Sequence, residues 1–334
     1  MSASKENPAN PTTQRAFQKV WFLKLNDPET QRALWLRFTT LSSRNGFNQS
    51  SETWAVFFQR SDGQDVKKIA VKNTYGIQDF SQKDQDEVQI GTCKLLPQGT
   101  QGKIESKGNS IEWDLKFVAG RECSFQVIPK FLSETRLVKN SIFTPYEELY
   151  FSGITRINGE VFQWHEAPGM LGKFEGPNKG HSWIWGQCNT FVDKDGKPAQ
   201  FLFEGMSVRT KLGPLVSPFL SSFYFNYKGE NFYFNTLRDF IRIRSKSTLN
   251  EWEFRAERED LSFRGVVKAE HKDFAGLTFE DTNGSYLYCS NSKLAEMKIF
   301  VYRRGKLEAT FTASGTAAFE IVSRDKNPYV PLLV

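Results

Sequence analysis

Residues 110–117 read Ser-Ile-Glu-Trp-Asp-Leu-Lys-Phe, so Ile111, Trp113, Leu115 and Phe117 alternate without a break with polar neighbours. Successive side chains of a strand point to opposite faces. A period of two with one apolar face therefore marks a half-buried antiparallel strand. Residues 251–259 repeat the pattern, with Trp252, Phe254 and Ala256 on the inward side. Turn dipeptides separate such runs: Asn158-Gly159, Asp195-Gly196, Lys228-Gly229, Asn283-Gly284 and Arg304-Gly305. Asn-Gly and Asp-Gly accept the positive φ angles that tight hairpins need. No long segment carries an amphipathic helical period; the best short one is Ser-Asn-Ser-Lys-Leu-Ala-Glu-Met-Lys at 290–298. The chain is expected to be all-β, mainly an antiparallel meander.

So many consecutive strands must close or stack to hide their edges. At 334 residues the chain exceeds the size at which a single core keeps growing, and its 39% hydrophobic content, with thirty Phe, fills two cores comfortably. Alternation lapses over 168–180, Pro-Gly-Met-Leu-Gly-Lys-Phe-Glu-Gly-Pro-Asn-Lys-Gly, which reads as a winding loop. The expectation is two β-barrels in tandem, or a barrel plus a sandwich: residues 16–168 and 169–334, after an irregular tail at 1–15. No residue-level repeat relates the halves, so any duplication is one of structure.

Charge excludes some partners. The formal net charge of +6 is spread among nearly as many carboxylates, which argues against nucleic acid. The basic run Arg238, Arg242, Arg244 and Lys246 reads as the solvated face of a strand, with Ile241 and Ile243 on the other face. No apolar run is long enough for a transmembrane helix, and no secretory signal is visible. A cytoplasmic chain is expected, with Cys93, Cys123, Cys188 and Cys289 as free, mostly buried thiols. Metal is not expected, since His165, His181 and His271 lie far apart with no ligand spacing. The glycines at 169, 172, 176 and 180 lack a Gly-Lys-Ser/Thr ending, and no dinucleotide fingerprint occurs, so no cofactor is expected.

Residues 181–191, His-Ser-Trp-Ile-Trp-Gly-Gln-Cys-Asn-Thr-Phe, concentrate the functional side chains. On an unbulged strand His181, Trp183, Trp185, Gln187, Asn189 and Phe191 share one face. The small Ser182, Ile184, Gly186, Cys188 and Thr190 share the other. This parity sets His181 and Cys188 on opposite faces and so argues against a Cys–His nucleophile pair. The large face joins aromatic area to amides that fix orientation, as the wall of a ligand cavity does, although a packed core with satisfied amides reads the same way. Upstream, Glu166 precedes a Pro-Gly turn and Glu175 sits in the expected loop. A carboxyl in an aromatic pocket has a raised pKa and donates protons near neutrality, so both are candidate acids; solvated loop charges are the other reading.

The segments Ser152–Met170, Trp183–Phe191 and Leu294–Ile321 resemble tocopherol cyclases, and residues 18–41 resemble the wider group of tandem lipocalin-like proteins. That group includes carotenoid hydratases, AttH-like proteins and lipocalin-like Diels–Alderases. The resemblance implies two lipocalin-like barrels and a lipophilic isoprenoid, polyene or lipid ligand. It also implies cofactor-free cyclisation, hydration or isomerisation, with Trp183, Trp185, Gln187, Cys188, Asn189 and Phe191 at the matching positions. Relatives carry an H-x-W-G-like turn before this strand, whereas Gly172–Gly176 here reads Gly-Lys-Phe-Glu-Gly. A carrier without chemistry therefore stands as the alternative to an enzyme. A lipophilic ligand is also compatible with peripheral membrane contact. Oligomeric state is left open.

Overall fold

The computed structural model describes residues 16–334 apart from 45, 47, 62–64, 129–139 and 213; the expected tail at 1–15 lies outside them. The first half supplies β1 (Phe17–Asp27), β2 (Arg32–Ser42), β3 (Gln49–Gln59), β4 (Lys67–Gly76), β5 (Phe80–Asp84) and β6 (Glu87–Ile90). It continues with β7 (Cys93–Leu96), β8 (Gly99–Ser106), β9 (Asn109–Ala119), β10 (Phe125–Gln126), β11 (Ser141–Ile157) and β12 (Glu160–Gly176). The second half supplies β13 (Ser182–Cys188), β14 (Phe201–Arg209), β15 (Lys211–Leu212), β16 (Leu215–Val216), β17 (Leu220–Tyr227), β18 (Glu230–Phe234) and helix α1 (Leu237–Arg242). It ends with β19 (Arg244–Ser247), β20 (Glu251–Arg258), β21 (Leu261–Lys268), β22 (Ala275–Glu280), β23 (Tyr286–Arg303) and β24 (Lys306–Ser323).

β1–β12 form a 12-stranded antiparallel sheet in the order β4-β3-β2-β1-β12-β11-β9-β8-β7-β6-β5, with β10 beside β11. The later strands form a 10-stranded sheet, β18-β17-β14-β13-β24-β23-β21-β20-β19, with β22 beside β23. In each sheet the first strand pairs with the last, β1 with β12 and β13 with β24. The duplication absent from the residues is therefore present in the topology. Both sheets curl toward closure. β4 packs against β8 and β9 in the first. In the second, Arg258 of β20 donates to the Tyr233 carbonyl of β18 at 2.6 Å and to Asp239 of α1 at 2.9 Å, bridging the seam.

Alternation explains both cores. Leu23, Leu25, Leu36, Phe57, Trp113 and Trp164 fill the first barrel. Phe201, Phe203, Phe225, Trp252, Phe254 and Phe263 fill the second. Rings stack there face to face, Phe225 on Phe263 at 4.1 Å and Phe201 on Phe311 at 4.3 Å. Much of the Phe content thus packs one barrel solid. The remaining faces of β1, β2, β13, β14 and β24 carry Phe22, Trp35, Trp185, Leu202 and Val322, and these bury against the opposite barrel.

Two expectations change, and the one short helical period falls in a strand. Residues 169–176 are the end of β12 rather than a loop, with Gly169 opposite Leu25 and Gly172 opposite Phe22 of β1. The first sheet accordingly keeps residues beyond 168. Residues 290–298 lie within β23, because both faces of that strand are buried and its apolar pattern loses its period of two. Leu237–Arg242 is a helix, not a strand. Its Thr236 side chain accepts from the Asp239 amide at 3.3 Å, while the Asp239 carboxylate accepts from the Thr236 amide at 2.9 Å. This reciprocal cap fixes the helix start. Arg244 and Lys246 do follow in a strand, β19.

Candidate functional site

Where the two barrels meet, a cleft of about 140 Å³ opens between β1 and β2 on one side and β13 and β14 on the other. Period-two geometry builds it. Val20 and Phe22 point out of the first barrel because Trp21 and Leu23 point in, and Trp35 and Arg37 alternate in the same way with Leu34, Leu36 and Phe38. Trp183, Trp185, Met206 and Val208 face them from β13 and β14. Phe279, Lys179 and Glu320 complete one flank.

Trp185 is locked in place. Its indole N–H donates to Glu204 Oε1 at 2.7 Å, Phe22 meets it edge-on at 5.7 Å and 87°, and the Lys293 ammonium lies 5.3 Å from its ring. Trp183 stacks on Phe279 at 6.4 Å and 7°. A layer of buried polar groups lies alongside these rings. Gln187 donates to the Glu147 carbonyl at 3.2 Å, and Asn189 donates to the Gly169 carbonyl at 2.9 Å. Lys24 Nζ donates to Asn26 Oδ1 at 3.1 Å and Asn189 Oδ1 at 3.3 Å. Lys293 Nζ donates to Glu320 Oε1 and Asn291 Oδ1, both at 2.8 Å. Burial pushes the Lys24 amine down to about 8.

Two carboxyls meet across the barrel interface, Glu147 from β11 and Glu204 from β14, both fully buried. Burial first, and then the Glu204 charge and its hydrogen bond, raise the Glu147 carboxyl well above the usual carboxylate range. One oxygen of each group has no other hydrogen-bond partner among the described residues. Burial beside a second carboxyl favours the protonated form of Glu147, because two adjacent buried negative charges repel strongly.

Of the residues selected from sequence, Trp183 and Trp185 line the cleft, while Gln187 and Asn189 stand in the polar layer. Phe191 does not join them. β13 ends at Cys188, the chain turns, and Phe191 packs inside the second barrel against Phe201 at 5.1 Å. His181 precedes the strand, where its Nδ1 lies 3.4 Å from Ser182 Oγ, and it is not on the cleft wall. Glu166 and Glu175 are both exposed on β12 and absent from the wall, so the burial that would have made them acids is missing. Cys188 faces the second core, and all four cysteines are free and buried.

Sequence reasoning passed over Arg37, Lys179, Glu147, Glu204 and Lys293. A signal existed for the first: Arg37 shares its strand face with Trp35 and Ala33, so a cation stands where parity calls for an apolar side chain.

No protein-family model matches the chain, and no curated protein matches it significantly. Among solved structures it is similar to that of a candidate AttH from Nitrosomonas europaea, with a TM-score of 0.53 and 10% identity over 99% of this chain and 100% of that one. The chain has an AttH-like fold. At that identity the likeness concerns architecture alone. No described helix is long and apolar enough to cross a membrane.

Proposed function

We propose that this AttH-like chain binds a lipophilic small molecule in the cleft between its barrels. The observation that carries the reading is an aromatic-walled opening at Phe22, Trp183 and Trp185, beside barrel interiors lined by clusters of buried Leu, Phe and Trp. Apolar walls with a few fixed polar groups are the usual make-up of small-molecule sites. Trp185 and Phe22 are held by hydrogen bonding and ring contacts, so the wall is preorganised and little ordering cost falls on binding. The reading stops at binding, because neither carboxylate that the sequence offers as an acid, Glu166 or Glu175, stands on the cleft wall.

The test uses N-phenyl-1-naphthylamine, a neutral apolar reporter. Delipidated protein is expected to bind it saturably, with quenching of tryptophan emission. Trp183→Ala should weaken binding about tenfold, since removing a large aromatic contact costs on the order of 1.5–3 kcal/mol of burial at most. Unsaturable partitioning, or equal affinity in Trp183→Ala, would overturn the assignment.

A further inference from the structure

Arg37 is 5% exposed and lines the cleft, yet among the described residues its guanidinium makes neither a hydrogen bond nor an ion pair, and its Nε is buried without a partner. It rests instead over the Phe279 ring at 4.2 Å and the Trp54 ring at 5.4 Å. Guanidinium does not lose its proton in proteins, so this is a permanent buried cation without an anion. The carboxylates whose charge reaches Arg37 and Lys179 pair with neither side chain, and three already hold another cation. Glu320 holds Lys293 at 2.8 Å, Glu52 holds Lys72 at 3.3 Å, and Asp281 holds Arg324 at 2.8 Å. A second wall cation, Lys179, is equally buried, with its amine donating to the Glu280 carbonyl. Burial and the Arg37 charge push that amine down to about 7. A buried charge left unpaired is costly, so an anionic group that enters the cleft gains by pairing with it.

We infer that the ligand is an amphiphile with an anionic head, whose carboxylate or phosphate pairs with Arg37 beside Lys179 while its apolar tail lies along Phe22, Trp183 and Trp185. This rests on the binding reading above and adds a charge to it. Guanidinium suits both heads, because its parallel N–H groups match two oxygens of either.

Isothermal titration with four probes separates the parts: decanoate, decyl phosphate, decanol and inorganic phosphate. Decanoate or decyl phosphate should bind at least tenfold tighter than decanol, and inorganic phosphate at least a hundredfold more weakly than either amphiphile. Whichever of the two acids binds tighter identifies the head. Arg37→Met should erase the preference for acid over alcohol, leave decanol affinity within twofold, and keep a melting temperature no lower than the parent's. Equal affinity for acids and alcohol would overturn the anionic head and leave apolar binding standing. Failure of all three decyl probes would overturn the binding reading itself. Inorganic phosphate binding as tightly as decyl phosphate would leave an anion site with no role for the tail. A preference retained in Arg37→Met would remove Arg37 from the site.

Discussion

Arg37 shows how a single residue can serve function at the expense of the fold. Carrying a guanidinium out of water costs several kcal/mol, and stacking on the Phe279 and Trp54 rings offsets only part of that cost because no hydrogen-bond acceptor replaces the lost water. Lys179 makes matters worse, since a second cation faces the first across the same wall. An unbranched apolar side chain of similar reach should therefore suit the empty protein better. Arg37→Met is expected to stabilise the ligand-free chain by about 1–2 kcal/mol, raising the midpoint by roughly 2–4 °C per kcal/mol for a chain of this class. Differential scanning calorimetry without ligand checks this. A fall in the midpoint would mean that Arg37 already has what it needs from the protein. With saturating anionic ligand the order should reverse, because only the parent gains binding energy from the head.

At the scale of elements, hairpins and alternating strands were legible because their signals are local: one turn, one face, one period. The end of β12 was not. Gly169, Gly172 and Gly176 erase its apolar period and imitate a loop, yet they are small because neighbours lie close: β1 at Gly169 and Gly172, and Asn140 at Gly176. A Cβ at position 172 would lie 2.3 Å from the Phe22 ring, the ring that meets Trp185 edge-on. Gly172→Ala should therefore push Phe22 toward the cleft. We expect a loss of about 1–3 kcal/mol in urea unfolding, as for other overpacked sites, together with weaker N-phenyl-1-naphthylamine binding. Normal stability and affinity would show that Phe22 moves freely and is no fixed wall. β11 hid its residues for a related reason. Register shifts between Phe143 and Tyr146, and again between Tyr146 and Leu149, break the parity by which a reader would assign Glu147 to a face. The shifts turn it toward the second barrel, where Glu204 waits. Phe191 fails by the same mechanism, a parity count carried past the end of its strand.

At the scale of the molecule, the barrels are joined by surfaces that each sequence half presents without its partner. The meeting of Glu147 with Glu204 follows only from the packing of one barrel on the other, whereas Lys293 and Glu320 are neighbours on the β23–β24 hairpin. That is why two barrels were foreseeable and their shared site was only half visible. The interface also titrates. Around Glu147 stand Glu204, Gln187, Lys24 and Cys123, with Tyr224 also within electrostatic reach, and burial with the Glu204 charge raises its carboxyl well above the usual range. The folded chain thus holds a proton that the unfolded chain releases near pH 4.5. The resulting stabilisation is complete below that pH and is lost as the pH climbs to the raised folded value, at up to about 1.4 kcal/mol per pH unit. Gln at this position is neutral at every pH and keeps an N–H to offer Glu204. Glu147→Gln should therefore match the parent near pH 4 and exceed its stability by a growing margin toward pH 8. Lys179, pushed down to about 7, changes stability with pH in both proteins alike and cancels from the difference, whereas Lys24, pushed down to about 8 and within reach of the Glu147 charge, is part of the coupling measured. Thermal melts of the two proteins across pH 4–8 give that difference directly. A gap that does not vary with pH would mean that Glu147 does not keep its proton on folding.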